Sequence, residues 1–220
     1  MTHLETELEQ LKTAVVEMAE LAKNQIAKTK NALLNVDVDI AEEVLHHETW
    51  MNANELRIDK DCENIFALYN PVAGDLRFVL AMMKINAELE RVGDHAAGIA
   101  NYIQGMTQAL PEALIKESRL VEMYDATINM LESIVEALDN NDTNIARKAF
   151  KQDKMLNEIN KNASTIIATY VQKEVSVVRY ALFLFSTIKK LERVGDHIKN
   201  IAEEIIFYEE AKVLKHKKKK

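Results

Sequence analysis

The chain has 220 residues with only 5 Gly and 2 Pro, where average usage gives roughly 15 and 11, and this excludes a turn-rich β-sandwich, a glycine-rich phosphate loop and a collagen-like or linker-rich chain. With 48% hydrophobic and 29% charged residues it can bury a proper core, as one large or two modest domains. The net charge of −7 conceals five lysines between Lys215 and Lys220; the remainder, at −12, does not suit general nucleic-acid binding, which needs Lys and Arg to neutralise phosphates.

Apolar residues recur with the helical period from the start of the chain. Leu4, Leu8, Leu11, Val15, Met18, Ala22, Ile26 and Leu33 form one stripe, and Thr2 followed by Glu5 reads as a capping box at its beginning. The stripe breaks at Asn35-Val36-Asp37, and Asp39 with Glu42 starts a second helix that runs to about Tyr69. Asn70-Pro71 reads as the N-cap and first position of a third helix, where the missing proline N–H costs nothing. Gly105 ends that helix, Pro111 opens a fourth, and Asp139-Asn140-Asn141-Asp142 closes it. A fifth helix extends to about Val171 and a sixth to about Tyr208. Six helices of roughly 28 to 35 residues are each about 40–50 Å long, and short connections make them antiparallel neighbours. The expected fold class is all-α.

No apolar run approaches the ~18 residues of a membrane span, and Met1-Thr2-His3-Leu4-Glu5 lacks the basic and apolar regions of a secretory signal. The single cysteine, Cys62, excludes an internal disulfide and any zinc site that needs two thiolates. A reducing cytoplasm is the expected setting.

The most informative feature is a repeat. Leu89-Glu90-Arg91-Val92-Gly93-Asp94-His95 recurs unchanged as Leu191-Glu192-Arg193-Val194-Gly195-Asp196-His197, 102 residues later. Arg77 with Arg179, Phe78 with Tyr180, Leu80 with Leu182, Ile99 with Ile201 and Ala100 with Ala202 keep the same offset. The chain therefore divides into two related three-helix repeats, 1–106 and 107–214, with 215–220 as a solvated, disordered lysine-rich tail.

Within each copy Glu and Asp stand four residues apart on one helix face, a like-charge spacing that costs an isolated helix roughly 0.2–0.5 kcal/mol. Gly93 and Gly195 each cost a helix about 1 kcal/mol relative to Ala. A cation bridging the carboxylates offsets the first cost, and close approach of a neighbouring helix or ligand explains the second. Glu55 and Asp59 have the same spacing on the preceding helix, with Asp153 and Asn157 as their expected counterpart in the second half. A hairpin turn near Val72 puts Glu55 level with Leu89 and Glu90. A second turn near Gln172 and Lys173 puts Asp153 level with Glu192. The candidate metal ligands are therefore Glu55, Asp59, Glu90 and Asp94, then Asp153, Glu192 and Asp196. Such carboxylate-rich, thiolate-free sets suit Mg²⁺, Ca²⁺, Mn²⁺ or iron better than a structural zinc, and adjacent carboxylates can bridge two ions. The competing reading pairs these acids with Arg91, Arg193, Lys60 and Lys154. His95 and His197 serve either as further ligands or as partners of nearby carboxylates; a sequence neighbour points about 100° away, which favours the second arrangement.

The doubled Leu-Glu-Arg-Val-Gly-Asp-His is followed by Asn200-Ile201-Ala202-Glu203 in the second copy and by a looser Gly98-Ile99-Ala100-Asn101 in the first. Together these resemble the recurring element of the PhoU family of phosphate-transport regulators. Asn70-Pro71-Val72-Ala73-Gly74-Asp75-Leu76-Arg77 is similar to the family's Gln-Pro-x-Ala-x-Asp-Leu-Arg segment. The resemblance covers nearly the whole chain. It implies two tandem three-helix bundles, a cytoplasmic homodimer, and a non-enzymatic regulator that damps the phosphate-starvation response. The implied partners are a phosphate ABC transporter and a sensor histidine kinase, which bring the protein to the cytoplasmic face of the membrane. It also implies multinuclear metal clusters on the seven acids named above, iron foremost, with zinc, manganese or magnesium as other occupants. Asn157 departs from the family pattern because a neutral amide stands for a carboxylate.

Two other functions fit an all-α acidic chain. A ferritin-like di-iron oxidase needs two Glu-x-x-His elements and two further Glu, and only Glu43-x-x-His46 supplies one. A metal-free helical scaffold would use the acidic faces to dock partners.

Overall fold

A computed structural model describes residues 2–214. The lysine-rich end, expected as a solvated tail, lies outside the described residues, and so does Met1. Six long helices carry the fold: α1 (His3–Asn35), α2 (Val38–Tyr69), α3 (Ala73–Gln104), α5 (Leu120–Asn140), α7 (Ala149–Lys173) and α8 (Val178–Glu210). Two short helices, α4 (Glu112–Glu117) and α6 (Thr143–Ala146), and a 3₁₀ turn (Val175–Val177) connect them. No strand occurs among the described residues.

The helix ends follow local chemistry. The Thr2 hydroxyl accepts from Glu5 N–H at 3.2 Å while Glu5 Oε2 accepts from Thr2 N–H at 2.7 Å, the reciprocal box read from the sequence. Asp37, two residues before the expected Asp39, caps α2 by accepting from Ile40 N–H at 3.0 Å. Asn70-Pro71 works in the opposite sense to the expectation. Asn70 lies in the left-handed region at φ 46 and ends α2, while Val72 is the N-cap of α3. Asparagine tolerates that conformation, and a proline just after a helix cannot extend it.

The fourth helix is not continuous. Arg119 takes φ 55 between α4 and α5, and its guanidinium binds Glu122 and, on α7, Glu158. The fifth starts as α6, turns at Arg147, and resumes as α7, with Arg147 held by Glu210 at 2.8 Å.

Ala73 also sits in the left-handed region, at φ 48, and is exposed. A non-glycine residue there costs roughly 1–2 kcal/mol. Ala73→Gly should therefore raise stability by about 0.5–1 kcal/mol once glycine's unfolded-state entropy is included. Urea unfolding followed by circular dichroism checks this, and a lower midpoint would contradict it.

Helices α1, α2 and α3 pack into one bundle and α5, α7 and α8 into another. The two share one continuous apolar core. At their seam α3 runs antiparallel to α8: Phe78 meets Tyr208 edge-on at 5.4 Å, Lys84 pairs with Glu204 at 3.1 Å, and Tyr102 stacks on Phe183 at 5.4 Å. The leucines and valines of both motif copies, Leu89, Val92, Leu191 and Val194, are fully buried. The acids of the motif are thereby turned toward α2 in the first half and α7 in the second.

The motif glycines are explained by close helix approach. A methyl group at Gly93 would come within 2.5 Å of Met51 Sδ, and one at Gly195 within 2.6 Å of Leu156 Cδ2. The same pair of contacts fixes the register of each hairpin.

Candidate functional site

In the first half the register agrees with the expectation. Asn86 on α3 reaches α2, donating from Nδ2 to Glu55 O at 2.9 Å and to Asp59 Oδ1 at 3.0 Å. Asn86, Glu90 and Asp94 stand on successive turns of α3 and face Glu55 and Asp59 on α2. Glu55, Asp59 and Glu90 are half-buried and Asp94 is exposed. Among the described residues none of these four acids forms an ion pair with Lys or Arg.

The electrostatics show crowded negative charge that Arg91 offsets only in part. Burial pushes the Glu55 carboxyl above the usual carboxylate range, and Asp59 and Asp94 push it the same way, with Arg91 opposing. Glu90 is raised likewise, first by burial and then by Asp94 and Glu55. Asn86 is fully buried, and its Oδ1 has no hydrogen-bond partner. Both of its amide hydrogen bonds go to oxygens, which fixes which end is nitrogen.

The second half is arranged differently. The turn between α7 and α8 lies at Glu174–Val177 rather than at Gln172-Lys173, because the 3₁₀ turn uses up Val175–Val177. The consequence is a shift of about one turn: Asp153 lies beside Gly195, with Oδ1 at 3.7 Å from a methyl built there, not beside Glu192. Leu156 occupies the place of Met51. One turn further on, Asn160 answers Glu55, and one turn beyond that Ser164 answers Asp59. Asp153 and Asn157 are thus not the structural counterparts of Glu55 and Asp59.

Lys199 stands among the second-half acids, with Nζ 3.0 Å from Asp153 Oδ1 and 2.8 Å from Asp196 Oδ1. Burial alone would lower its pKa, but its bonds to Asp196 and Asp153 outweigh that and hold it above the ordinary lysine value. Arg193 lies 3.5 Å from Asp196 and 3.8 Å from Glu192. Asn157 donates to Asp153 Oδ2 at 2.8 Å. A cleft of about 810 Å³ opens here, and Lys151, Lys154, Arg193 and Lys199 line it.

Among the described residues no three His, Cys, Asp or Glu side chains are grouped so as to hold a metal ion. The first-half acids share a face without converging on a point. In donor chemistry they fit a hard divalent ion: four carboxylates from two helices, an orphaned buried carbonyl oxygen on Asn86, and mutual repulsion that Arg91 opposes without forming an ion pair. The second-half acids do not fit one in the same way, because lysine and arginine already face them.

Of the two histidines only His197 pairs with a carboxylate, and His95 lies against its ring, centroids 5.3 Å apart. His197 Nδ1 lies 2.6 Å from Glu88 Oε2, and Asn200 donates to Glu88 Oε1 at 3.2 Å, so the contact ties α8 to α3. Burial would push Glu88 up, but the bonds to His197 and Asn200 hold it below the usual carboxylate range. His95 is pushed down to about 4, first by burial and then by the charges of His197, Lys190 and Arg193. Glu88→Ala should cost about 1.5–3 kcal/mol, the worth of a hydrogen-bonded charged group. A depressed carboxylate stabilises above its unfolded pKa and loses that contribution as pH falls through its folded pKa. The wild-type advantage over Glu88→Ala in urea unfolding should therefore shrink below about pH 4, and an advantage unchanged by acid would contradict the pairing.

Glu88, Asn86 and Lys199 escaped the sequence reading, although the repeat carried a signal for each. At the 102-residue offset Glu88 answers Lys190, Asn86 answers Ile188, and Ala97 answers Lys199. Glu43, part of the one Glu-x-x-His element, is bound to Lys28 Nζ at 2.6 Å on the surface, so it does not point into a bundle as a di-iron ligand must. Cys62 is fully buried, and its thiol is pushed up to about 12, first by burial and then by Asp59 and Asp61. No helix among the described residues is long and apolar enough to cross a membrane.

Comparison with known proteins gives a single direction. The model of the PhoU domain matches twice, over residues 15–103 and 120–205. A phosphate-specific transport system accessory protein PhoU homolog from a Burkholderia species is 32% identical over 216 residues, 98% of this chain and 92% of that one. The phosphate-specific transport system accessory protein PhoU of Escherichia coli (strain K12) is 29% identical over 211 residues, 96% of this chain and 86% of that one. The crystal structure of PhoU from Pseudomonas aeruginosa matches with a TM-score of 0.88 at 25% identity, covering 96% of this chain and 100% of that one. A phosphate transport system regulatory protein PhoU from Streptococcus pneumoniae matches with a TM-score of 0.86 at 25% identity, covering 96% and 99%. With its motif doubled, its helices in the same arrangement and its relatives matched over nearly their full length, the chain belongs to the PhoU family.

Proposed function

We propose that this chain is a non-catalytic accessory protein of a phosphate-specific transport system, regulating phosphate uptake and the starvation response, with metal ions held on its first-half carboxylates. Its relatives bear the accessory name, and their chains align with this one nearly throughout. The observation that carries the metal part is the first-half cluster: Glu55, Asp59, Glu90 and Asp94 repel one another with no ion pair, beside the unpartnered Asn86 Oδ1. A divalent ion bound there supplies positive charge and joins α2 to α3. Iron is the metal that the family resemblance favours, and manganese, zinc and magnesium accept the same oxygen donors.

The same proposal includes docking to a phosphate ABC transporter and a sensor histidine kinase at the cytoplasmic membrane face, and a homodimeric state. Support for docking comes from the two hairpin ends, where Leu68, Val72, Leu76 and Leu80 at one and Val175, Val178 and Leu182 at the other are solvent-exposed. Apolar residues grouped this way on a surface serve as contact sites for partners.

In cells lacking their own copy, the wild-type chain should silence phosphate-starvation genes in phosphate-rich medium. The Glu90→Gln/Asp94→Asn chain, present at equal level, should leave them expressed. Full silencing by the variant would remove the metal from the account. Failure of the wild-type chain to silence them would remove the regulatory role, as would turnover of phosphate esters at enzyme-like rates.

A further inference from the structure

We propose that Lys199 is the resident cation of the second half, its ammonium bridging Asp153 and Asp196 and supplying the positive charge that a metal ion supplies in the first, so that the chain holds metal in one half only. The inference rests on the reading of the first-half acids given above, and it separates two halves that the repeat makes look equivalent.

The geometry is that of a filled site. Lys199 Nζ reaches both carboxylates, at 3.0 and 2.8 Å, from one turn along the same helix as Asp196, and its side chain is 26% exposed. An ammonium is a compact charge with three donors, suited to bridging two carboxylates. Asp153 Oδ1 is buried and receives no aligned hydrogen bond, so the lysine charge is what stands against it.

The differences in charge between the halves run the same way. Where the first half has Glu55 and Asp59, the second has Asn160 and Ser164, which removes two charges from the ligand set. Ile188 stands at the repeat position of Asn86, so α8 offers no amide there; the buried, unpartnered carbonyl oxygen of this half is Asn160 Oδ1, on α7. Lys199 replaces Ala97, a residue that brings no cation to the first half. Arg193 closes on Asp196 at 3.5 Å, and Lys151 and Lys154 bring the cleft to four cations against three carboxylates, a balance that disfavours a divalent ion. The first half is thus short of positive charge and the second supplies its own.

A covalently fixed cation cannot be removed by a chelator or outcompeted by another metal. Gain and loss of metal should therefore alter the α2–α3 pair and leave the α7–α8 pair as it is. A regulator built this way has one conditional half and one permanent half.

The test is a Mn²⁺ titration of the purified full chain, read by the loss of the free-ion electron paramagnetic resonance signal. Bound Mn²⁺ should disappear in Glu90→Gln/Asp94→Asn and persist unchanged in Asp153→Asn/Asp196→Asn. Lys199→Met should bind about one further ion per chain at millimolar Mn²⁺, and in EDTA it should melt below wild type, with Mn²⁺ restoring the loss. Lys199→Ala serves as a second variant if the methionine form does not fold. A drop in bound Mn²⁺ in Asp153→Asn/Asp196→Asn, or no gain in either Lys199 variant, would overturn the inference. Gain in the Lys199 variants without any first-half binding in wild type would uphold the lysine's role and overturn the first-half metal reading instead.

Discussion

Glu90→Gln combined with Asp94→Asn is expected to strip the first half of its metal while raising the melting temperature of the chelator-treated protein. Most losses of a ligand destabilise; here the ligands are unfavourable until something binds them. Burial and the neighbouring Asp94 and Glu55 raise the Glu90 carboxyl, and burial, Asp59 and Asp94 raise Glu55. Neutral isosteres remove that repulsion along α3, worth about 0.5 kcal/mol for an i, i+4 pair, and relieve part of the cost between helices. For a chain of this size each kcal/mol moves the midpoint by roughly 2–4 °C, so an increase of about 1–3 °C is expected. The pH dependence has a definite sign. A carboxyl whose folded pKa is raised leaves the metal-free protein more stable below that pKa, and this contribution is lost as pH rises through it. Metal binding requires the charged form. The Mn²⁺-induced rise in midpoint should therefore be larger near pH 7.5 than near about pH 5.5, and absent at both in the variant. Melts in EDTA and in Mn²⁺ at the two pH values check this. A variant that melts below wild type in EDTA would show that these acids are internally satisfied.

The largest loss of stability is expected from Leu191→Ala. Leu191 is fully buried on α8, which packs against α3, α5 and α7 at once. Leu-to-Ala replacements at such positions cost about 2–5 kcal/mol, against total stabilities of 5–15 kcal/mol in typical domains. Leu89→Ala, at the same repeat position on α3, should cost a similar amount. Because one continuous core joins the halves, either change should lower a single urea transition seen identically by helix content and by Trp50 fluorescence. Two separated transitions, with Leu191→Ala lowering only one, would show that the halves unfold independently.

The helices were legible in the sequence because the apolar stripes were long and few residues interrupted them. Thr2 with Glu5 gave the start of α1 correctly, since a capping box is a local pattern. Asn70-Pro71 misled because the same dipeptide suits a helix start and a left-handed helix end, and only the backbone tells them apart. Nothing around Ser118 and Arg119 marks the break between α4 and α5, where Arg119 turns left-handed and reaches Glu122 and Glu158. The acids of α3 and α8 were found through the repeat, which is unbroken there. The α7 acids were misaligned because Val175–Val177 look like more helix but form a tight turn, which moves Asp153 along α8 by about one turn. Lys199 was visible as a letter, yet its role depends on that register, which no spacing within one helix reveals.

Metal on the first-half carboxylates is what joins the site to regulation. Elemental analysis of the full chain, purified without chelator or His tag, tests it directly when wild type is compared with Glu90→Gln/Asp94→Asn. Iron, manganese or zinc is expected at about one or more ions per wild-type chain, with none above background in the variant. Equal metal in both proteins, or none in wild type even after incubation with Fe²⁺ and Mn²⁺, would contradict it.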